Sequence, residues 1–246
     1  MKPRVLMKLA VAAILICSGV LLVSGCSSKT AADKTGATEG YTSTETTSAD
    51  STGTVDSLQE DALYTPEYKP NGNEVAVIKT SKGTVTVKLF GKDAPGHVGN
   101  FVELARKGFY DGVKFHRLEP GFVIQGGDPQ TVALDSKKVA DLVAAQKSGA
   151  YTEGEPMLGT GGPGYAIKGE FDAATNPNKH VDGSLAMARS QSPDSGGSQF
   201  YFTLGPQSFL DGQYTVFGQT TEGLDVVHKL VVGDEIVSVT IENADK

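Results

Sequence analysis

The sequence predicts a mainly β protein whose strands form either a closed antiparallel barrel or a sandwich. Short apolar stretches of strand length recur between residues 74 and 241, and Gly, Pro or Asp separates each stretch from the next. Apart from one loop insertion, only two segments of this region have the spacing of an amphipathic helix. Regular alternation of strands and helices would instead indicate a parallel α/β sheet, so the pattern favours antiparallel strands.

Composition limits the classes of protein that the chain can belong to. Of its 246 residues, 39% are hydrophobic and 21% are charged, values that are typical of a folded globular protein. They exclude a wholly disordered chain, a collagen and a polytopic membrane protein. The net charge of −7 argues against nucleic acid as a partner, because nucleic-acid-binding domains usually present a basic face. Two cysteines are too few for a disulfide scaffold.

Residues 1–25 have the features of a secretory signal peptide. A basic start, with Lys2 and Arg4, precedes an apolar run at 9–23 that is short for a membrane-spanning helix. Small residues then stand directly before Cys26, which is similar to the bacterial lipoprotein signal, in which the cysteine is lipidated. We therefore expect a lipid anchor on Cys26 that holds the protein at the extracytoplasmic face of the cell membrane. An uncleaved anchor and an ordinary secretory signal are the alternatives.

Residues 26–72 are predicted to be the lipidated cysteine followed by a disordered, Ser/Thr-rich tether. Small and polar residues dominate 27–60, and such a composition cannot bury enough apolar surface to offset the entropy of ordering. As a coil the tether would reach roughly 35–40 Å. Pro66 and Pro70 suggest an extended lead-in that could pack on the domain, which we place at 73–246.

The domain is predicted to open with a β-hairpin and a helix. Val75 and Val77, and then Val85, Val87 and Leu89, have the alternation of half-buried strands and are expected to face the core, with a Lys-Gly turn at 82–83. A helix is then expected from Pro95, which is tolerated in a first helical turn, to Gly108. Its apolar face follows the i, i+3, i+4, i+7 spacing and consists of Val98, Phe101, Val102 and Ala105.

Further strands follow, with one interruption. They are predicted at 113–118, 122–125, 184–189, 200–204, 215–218 and 235–241. A second amphipathic helix is expected at 221–231. The residues expected on its apolar face are Leu224, Val227 and either Leu230 or Val231. Residues 130–158 interrupt this succession of strands and are interpreted as a loop insertion that carries a helix at 135–149.

Common cofactor and metal motifs are absent or incomplete in the sequence. A glycine run at 159–164 matches GxGxxG, but no predicted strand precedes it and Pro163 would interrupt a following helix, so it does not predict a dinucleotide site. Neither a GxxxxGK[ST] phosphate loop nor a GxSxG elbow occurs. The histidines are scattered, without the spacing of metal ligands. We therefore expect neither a metal nor a cofactor.

Two stretches carry a more specific signal. The first is FHRLEPGFVIQGGD at 115–128. The second combines SLAMAR at 184–189 with GSQFYF at 197–202 and FLDGQYTVFG at 209–218. Together they resemble the cyclophilins, a family of peptidyl-prolyl cis/trans isomerases. The resemblance extends over 74–242, apart from the insertion.

The resemblance implies a fold, an activity and a set of site residues. The family fold is a closed eight-stranded antiparallel β-barrel capped by two α-helices, here with a partly helical loop insertion. The family rotates X–Pro bonds without a cofactor, and Arg117 matches its catalytic arginine. The residues that match substrate-binding positions are Phe122, Val123, Tyr201, Phe209 and Leu210 around the proline pocket, Gln125 and Gln199 beside the peptide backbone, Ala188 and Arg189 at the pairing strand edge, and Tyr214 where many members have histidine.

Four of these positions depart from the better-known eukaryotic pattern. Phe209 stands for a tryptophan and Val123 for a methionine, while Tyr214 stands for a histidine and Arg189 for an asparagine. Phe209 lacks the indole N–H that the tryptophan offers to cyclosporin. The resemblance therefore does not extend to tight binding of that inhibitor.

The expected function is prolyl isomerisation that assists the folding of secreted or cell-envelope proteins. The expected partners are proline-containing unfolded or extended polypeptides, bound by a monomer. Two alternatives remain open. One is a membrane-anchored module that grips proline-containing segments without turnover, and the other is a structural surface protein with a degenerate site. Replacing Arg117 by alanine separates the enzyme from the binding module.

Overall fold

The computed structural model describes residues 63–244, so the predicted signal peptide, Cys26 and most of the predicted tether lie outside the described residues. The strands are β1 Val75–Thr80, β2 Gly83–Leu89, β3 Arg117–Glu119, β4 Val123–Gly126, β5 Ser184–Met187, β6 Phe200–Thr203, β7 Val216–Glu222 and β8 Ile236–Glu242. The helices are α1 Pro95–Arg106, α2 Ser136–Ser148 and α3 Leu224–Val227.

The eight strands form one antiparallel sheet in the order β3-β4-β6-β5-β7-β2-β1-β8. Hydrogen bonds at the beginnings of the two end strands, β3 and β8, bring these strands together. The N–H of Phe115 donates to the C=O of Asp234 at 2.9 Å. The N–H of Ile236 donates to the C=O of Val113 at 2.7 Å. These bonds link the ends of the curled sheet, so the mainly β, eight-stranded barrel is confirmed and the sandwich is not.

Aromatic side chains fill the interior of the barrel. The ring of Phe101 on α1 lies 5.0 Å from that of Tyr110. It lies 5.8 Å from the ring of Phe200 and 5.5 Å from that of Phe217. All four side chains are fully buried, and contacts of this kind add to the stability that burial alone provides. Every residue of the predicted apolar face of α1 is buried.

The sequence pattern assigned the wrong face of β1 to the core. Its inward side chains are Ala76 and Ile78, whereas Val75 and Val77 are only partly buried. All four residues are apolar, so alternation within β1 could not distinguish the two faces. The face is set by pairing with β2 and β8 on either side.

The second predicted helix begins later and is much shorter than expected. Strand β7 continues to Glu222, because its β-branched threonines favour the extended conformation. Gly223 follows with a φ of 79°, and α3 is a single turn. Of the predicted apolar face, Val227 and Leu230 are buried, whereas Leu224 is exposed.

Residues 63–72, which we assigned to the tether as an extended lead-in, pack against the domain. The hydroxyl of Tyr64 and the N–H of Tyr68 both donate to the carboxylate of Glu103 on α1. The Tyr68 hydroxyl also donates to Glu74 at 2.9 Å. The hydrogen bond to Glu103 raises the pKa of Tyr64 to about 12. We call this segment the N-terminal strap; its aromatic side chains provide contacts that a Ser/Thr-rich segment cannot make.

The insertion at 130–158 carries the predicted helix as α2. Asp135 caps it by accepting a hydrogen bond from the N–H of Lys138 at 2.7 Å. Gly149 ends it with a φ of 73°. The buried residues of its own small core are Val139, Leu142 and Leu158. Between residues 63 and 244, no helix has the length and apolar character that a membrane span requires.

Candidate active site

Four neighbouring strands build the candidate site on the face of the sheet opposite to the core. Side chains alternate between the two faces of a strand. On β6, Phe200 and Phe202 therefore point into the core, whereas Tyr201 points to the opposite face. The strand register places Gln125 opposite Tyr201 on one side and Ala186 opposite it on the other. Arg117 on β3 lies opposite Gln125. The four side chains therefore form one row across β3, β4, β6 and β5.

A cavity of about 320 Å³ opens on this row. The residues that line it are Arg117, Phe122, Val123, Gln125, Ala188, Arg189, Tyr201, Phe209, Leu210 and Tyr214. The rings of Phe122 and Phe209 stack with their centroids 5.6 Å apart. Phe209 is 61% exposed, whereas Tyr201 is buried. The cavity thus has a buried aromatic wall and a solvent-exposed aromatic rim, a shape suited to a small apolar ring.

A directional chain of hydrogen bonds leads to the arginine beside this cavity. Gln199 Nε2 donates to the C=O of Gly161 at 2.7 Å, which leaves Gln199 Oε1 to accept from Gln125 Nε2 at 2.9 Å. Gln125 Oε1 in turn accepts from Arg117 Nη1 at 3.4 Å. Because a carbonyl can only accept, Gly161 sets the orientation of both amides. Arg117 Nε also lies 3.7 Å from Glu119, and 45% of the Arg117 side chain is exposed.

A buried histidine joins the wall of the cavity to its rim. His180 Nδ1 lies 2.9 Å from Asp211 Oδ1, and His180 Nε2 lies 3.0 Å from the Tyr201 hydroxyl. Burial lowers the pKa of His180, while Asp211 opposes that effect, so the ring is neutral near pH 7. Nδ1–H therefore donates to Asp211, and Nε2 accepts from Tyr201, whose own pKa burial raises. Asp211 directly follows the helical turn that carries Phe209 and Leu210. We call this arrangement the His180 bridge.

Two further residues shape the site without lining the smaller cavity. His116 is 4% exposed, and burial lowers its pKa; Asp128 opposes that effect and Arg117 adds to it. Its ring is therefore neutral near pH 7. Gly127 has a φ of 90°, and a Cβ there would lie 2.3 Å from the carbonyl oxygen of Ser198. Only glycine allows these two backbones to approach so closely.

A second cavity of about 620 Å³ adjoins the first. Gln125, Ala188 and Arg189 line both cavities. The glycine run at 159–164 lies along the larger one, and Gln199 lines it as well. The two cavities therefore form a continuous groove, and we call it the substrate groove below.

The residues of the described chain that the sequence singled out come together along this groove. Gln199 lines only the larger cavity, not the smaller one. Their individual roles stay predictions, and Cys26 lies outside the described residues. Sequence analysis missed the part that His180 and Asp211 play in the site. His180 is 21 residues from Tyr201 and 31 residues from Asp211 along the chain, so no local spacing marks these contacts. Within 63–244, no cluster of three His, Cys, Asp or Glu side chains is placed to hold a metal ion.

Comparison with known proteins defines the class of this one. The family model described as cyclophilin type peptidyl-prolyl cis-trans isomerase/CLD matches residues 75–245. The chain belongs to this family, and its enzymatic activity is the cis/trans isomerisation of peptidyl-prolyl bonds.

Curated relatives and a solved structure agree with this assignment. A peptidyl-prolyl cis-trans isomerase of Helicobacter pylori (strain ATCC 700392 / 26695) is 44% identical over 171 residues, which are 69% of this chain and 87% of the relative. Peptidyl-prolyl cis-trans isomerase B of Bacillus subtilis (strain 168) is 40% identical over 158 residues, 64% of this chain and 90% of the relative. A cyclophilin type isomerase of Cryptosporidium parvum, crystallised in the presence of the dipeptide Ala-Pro, has a TM-score of 0.53 at 25% identity. The match covers 69% of this chain and 99% of that one.

Proposed function

We propose that this isomerase assists the folding of secreted or cell-envelope proteins from a lipid anchor on Cys26 at the extracytoplasmic face of the membrane. The support is the signal pattern that ends at Cys26 and the polar sequence that separates this residue from the domain. Its substrates are proline-containing polypeptides that are unfolded or extended. The working unit is a monomer.

The observation that supports the assignment of roles is the position of Arg117, between a cavity with aromatic walls and a chain of amides. In our proposal the cavity takes the proline ring, with Phe122 and Tyr201 as its aromatic walls. The substrate backbone runs past Ala188 and Arg189 along the end of β5. The guanidinium then faces the nitrogen of the X–Pro bond.

Rotation of this bond requires the nitrogen lone pair to leave conjugation, which costs about 18–20 kcal/mol. A guanidinium N–H can donate to that lone pair once it localises, and hardly before, so the bond is specific to the transition state. A hydrogen bond to a charged group contributes about 1.5–3 kcal/mol, which corresponds to roughly 10- to 150-fold in rate. Arginine suits the task because its guanidinium is permanently charged and planar.

The amides and the cavity supply the remaining acceleration in this mechanism. Gln125 and Gln199 hold the guanidinium in place before the substrate binds, so little reorganisation accompanies the reaction. The cavity holds the ring while the preceding carbonyl turns. Neither contribution requires a nucleophile or a proton transfer.

Labelling and protease treatment test the cellular part of the proposal. Bacteria that produce the full chain or its Cys26→Ala variant are grown with a clickable palmitate analogue and then fractionated. We expect label and membrane association for the wild type and neither for the variant. Protease added to intact protoplasts should digest the wild-type domain. Label on the Cys26→Ala variant would contradict the lipid anchor, and a protected domain would contradict the extracytoplasmic face.

A further inference from the structure

The substrate groove carries positive charge, although the protein as a whole is acidic. Arg117 and Arg189 both line it, and no Asp or Glu of the described chain lines either cavity. The whole chain has a net charge of −7. A cleft lined by charges of one sign concentrates ligands of the opposite sign. The groove therefore favours anionic groups that the rest of the surface repels.

The guanidinium of Arg189 is held in a fixed plane between the two cavities. It lies 4.5 Å from the centre of the Tyr214 ring. Its Nε donates to the C=O of Gln213 at 2.9 Å. Its Nη1 donates to the carbonyl oxygens of Ser190 at 2.9 Å and Gln191 at 3.2 Å. A guanidinium held in this way loses little further freedom when it binds a ligand.

The same guanidinium keeps donors that no described residue uses. Its hydrogen bonds to the described residues come from Nε and Nη1, which leaves the two N–H groups of Nη2. No carboxylate within 63–244 forms an ion pair with Arg189, whereas Arg117 has Glu119 at 3.7 Å. Arg189 is therefore the uncompensated charge of the groove.

We infer that Arg189 makes this isomerase prefer substrates with an acidic residue one or two positions from the proline. The inference rests on the proposed function, because it takes the smaller cavity as the proline pocket. Successive residues of an extended peptide are about 3.3 Å apart. With proline in the pocket, its near neighbours therefore lie beside Arg189 and the larger cavity. A carboxylate there accepts from Nη2 in a charge-assisted hydrogen bond.

The expected size of the preference follows from the exposure of the groove. Ion pairs in contact with solvent are weak, so we expect about a two- to fivefold gain in kcat/KM for a glutamate over a glutamine peptide at low salt. The gain should disappear at about 1 M salt, where the Debye length falls to about 3 Å. A lysine at the same position should react more slowly than glutamine.

The test measures cis/trans exchange by NMR for the full chain in non-ionic detergent. The substrates are acetylated pentapeptide amides with no terminal carboxylate and a central proline, with Glu, Gln or Lys placed in turn at each of the two positions on either side of it. The quantity compared is the ratio of kcat/KM for glutamate over glutamine within one enzyme. Exchange measured by NMR needs no coupled protease, whose own specificity would distort this ratio.

Three variants isolate the contribution of Arg189. Arg189→Gln should bring the ratio to one whatever its absolute rate. Arg189→Lys should keep part of the preference, since lysine keeps the positive charge but lacks the planar set of N–H donors of a guanidinium. Lys79→Gln removes one cation from an exposed position on β1 and should leave both ratio and rate at the wild-type values.

The possible failures are distinguishable. A wild-type ratio of one at every position, or an equal preference in Arg189→Gln and wild type, would overturn the inference while leaving the isomerase mechanism intact. A wild type that accelerates exchange in none of the peptides would overturn the proposed function, and the inference with it.

Discussion

Replacing Tyr201 by phenylalanine removes one hydroxyl and keeps the aromatic wall of the cavity. In the structure that hydroxyl donates to His180 Nε2 at 3.0 Å, and both residues are buried. A buried acceptor that loses its partner costs about 1–3 kcal/mol, so the free energy of unfolding should fall by that amount. Because the wall remains, kcat/KM should stay within about threefold of wild type, which corresponds to a change of less than about 1 kcal/mol in the activation free energy.

The assay is urea unfolding followed by far-UV circular dichroism, because the chain has no tryptophan to report on unfolding. The linear extrapolation of each curve gives the free energy of unfolding in water. In a domain of this size, each kcal/mol should also lower Tm by about 2–4 °C. Tyr214→Phe is the matched control, since it removes a hydroxyl that bonds to no described residue, and its stability should not change. A Tyr201→Phe variant as stable as this control would refute our interpretation that the hydrogen bond from Tyr201 to His180 stabilises the fold.

Three further predictions concern protonation, the amide chain and the glycine turn. Burial holds the pKa of His180 and His116 below the ordinary value of 6.5. The unfolded state therefore binds more protons as the pH falls below 6.5, and stability should decline by up to about 1.36 kcal/mol per pH unit for each histidine. Urea unfolding of His180→Gln between about pH 7 and pH 5 should show a smaller change of unfolding free energy with pH, because one of the two histidines no longer contributes. Gln125→Leu removes the acceptor that lies 3.4 Å from Arg117, so steady-state kinetics should show kcat about five- to tenfold lower with KM nearly unchanged. Gly127→Ala strains a backbone with a φ of 90° and should cost more than about 1 kcal/mol in thermal unfolding.

Each of these predictions has an outcome that contradicts it. An unchanged pH slope in His180→Gln would mean that this histidine titrates alike in the folded and unfolded states. A Gln125→Leu variant that raises KM and spares kcat would place Gln125 in substrate binding rather than in the orientation of Arg117. Wild-type stability in Gly127→Ala would show that the backbone at Ser198 can move aside.

The strands and the site were readable from the sequence because both depend on local patterns. Short apolar stretches bounded by turn residues located β4 and β6, and the resemblance named Gln125 and Tyr201, which the strand register places opposite each other. The motifs that contain them are continuous in sequence. A resemblance carried by such motifs can therefore name the lining of a cavity before its shape is known.

The contacts that could not be identified from the sequence join distant residues. The strap is ordered because Tyr64 and Tyr68 reach a carboxylate on α1, 39 and 35 residues away. The His180 bridge likewise joins residues from separate segments. In β1, a run of apolar residues left both faces equally plausible, and only pairing with the neighbouring strands chose between them.

The most direct test of the mechanism compares the full chain with its Arg117→Ala and Arg117→Lys variants in the NMR exchange assay. The side chain is about half exposed, so neither variant should lose much stability, which the urea assay checks. For Arg117→Ala we expect kcat to fall by roughly 10- to 150-fold with little change in KM, the loss of one charge-assisted hydrogen bond in the transition state. Arg117→Lys should recover only part of this loss. A folded Arg117→Ala variant with the wild-type kcat would contradict the assignment of transition-state stabilisation to this guanidinium.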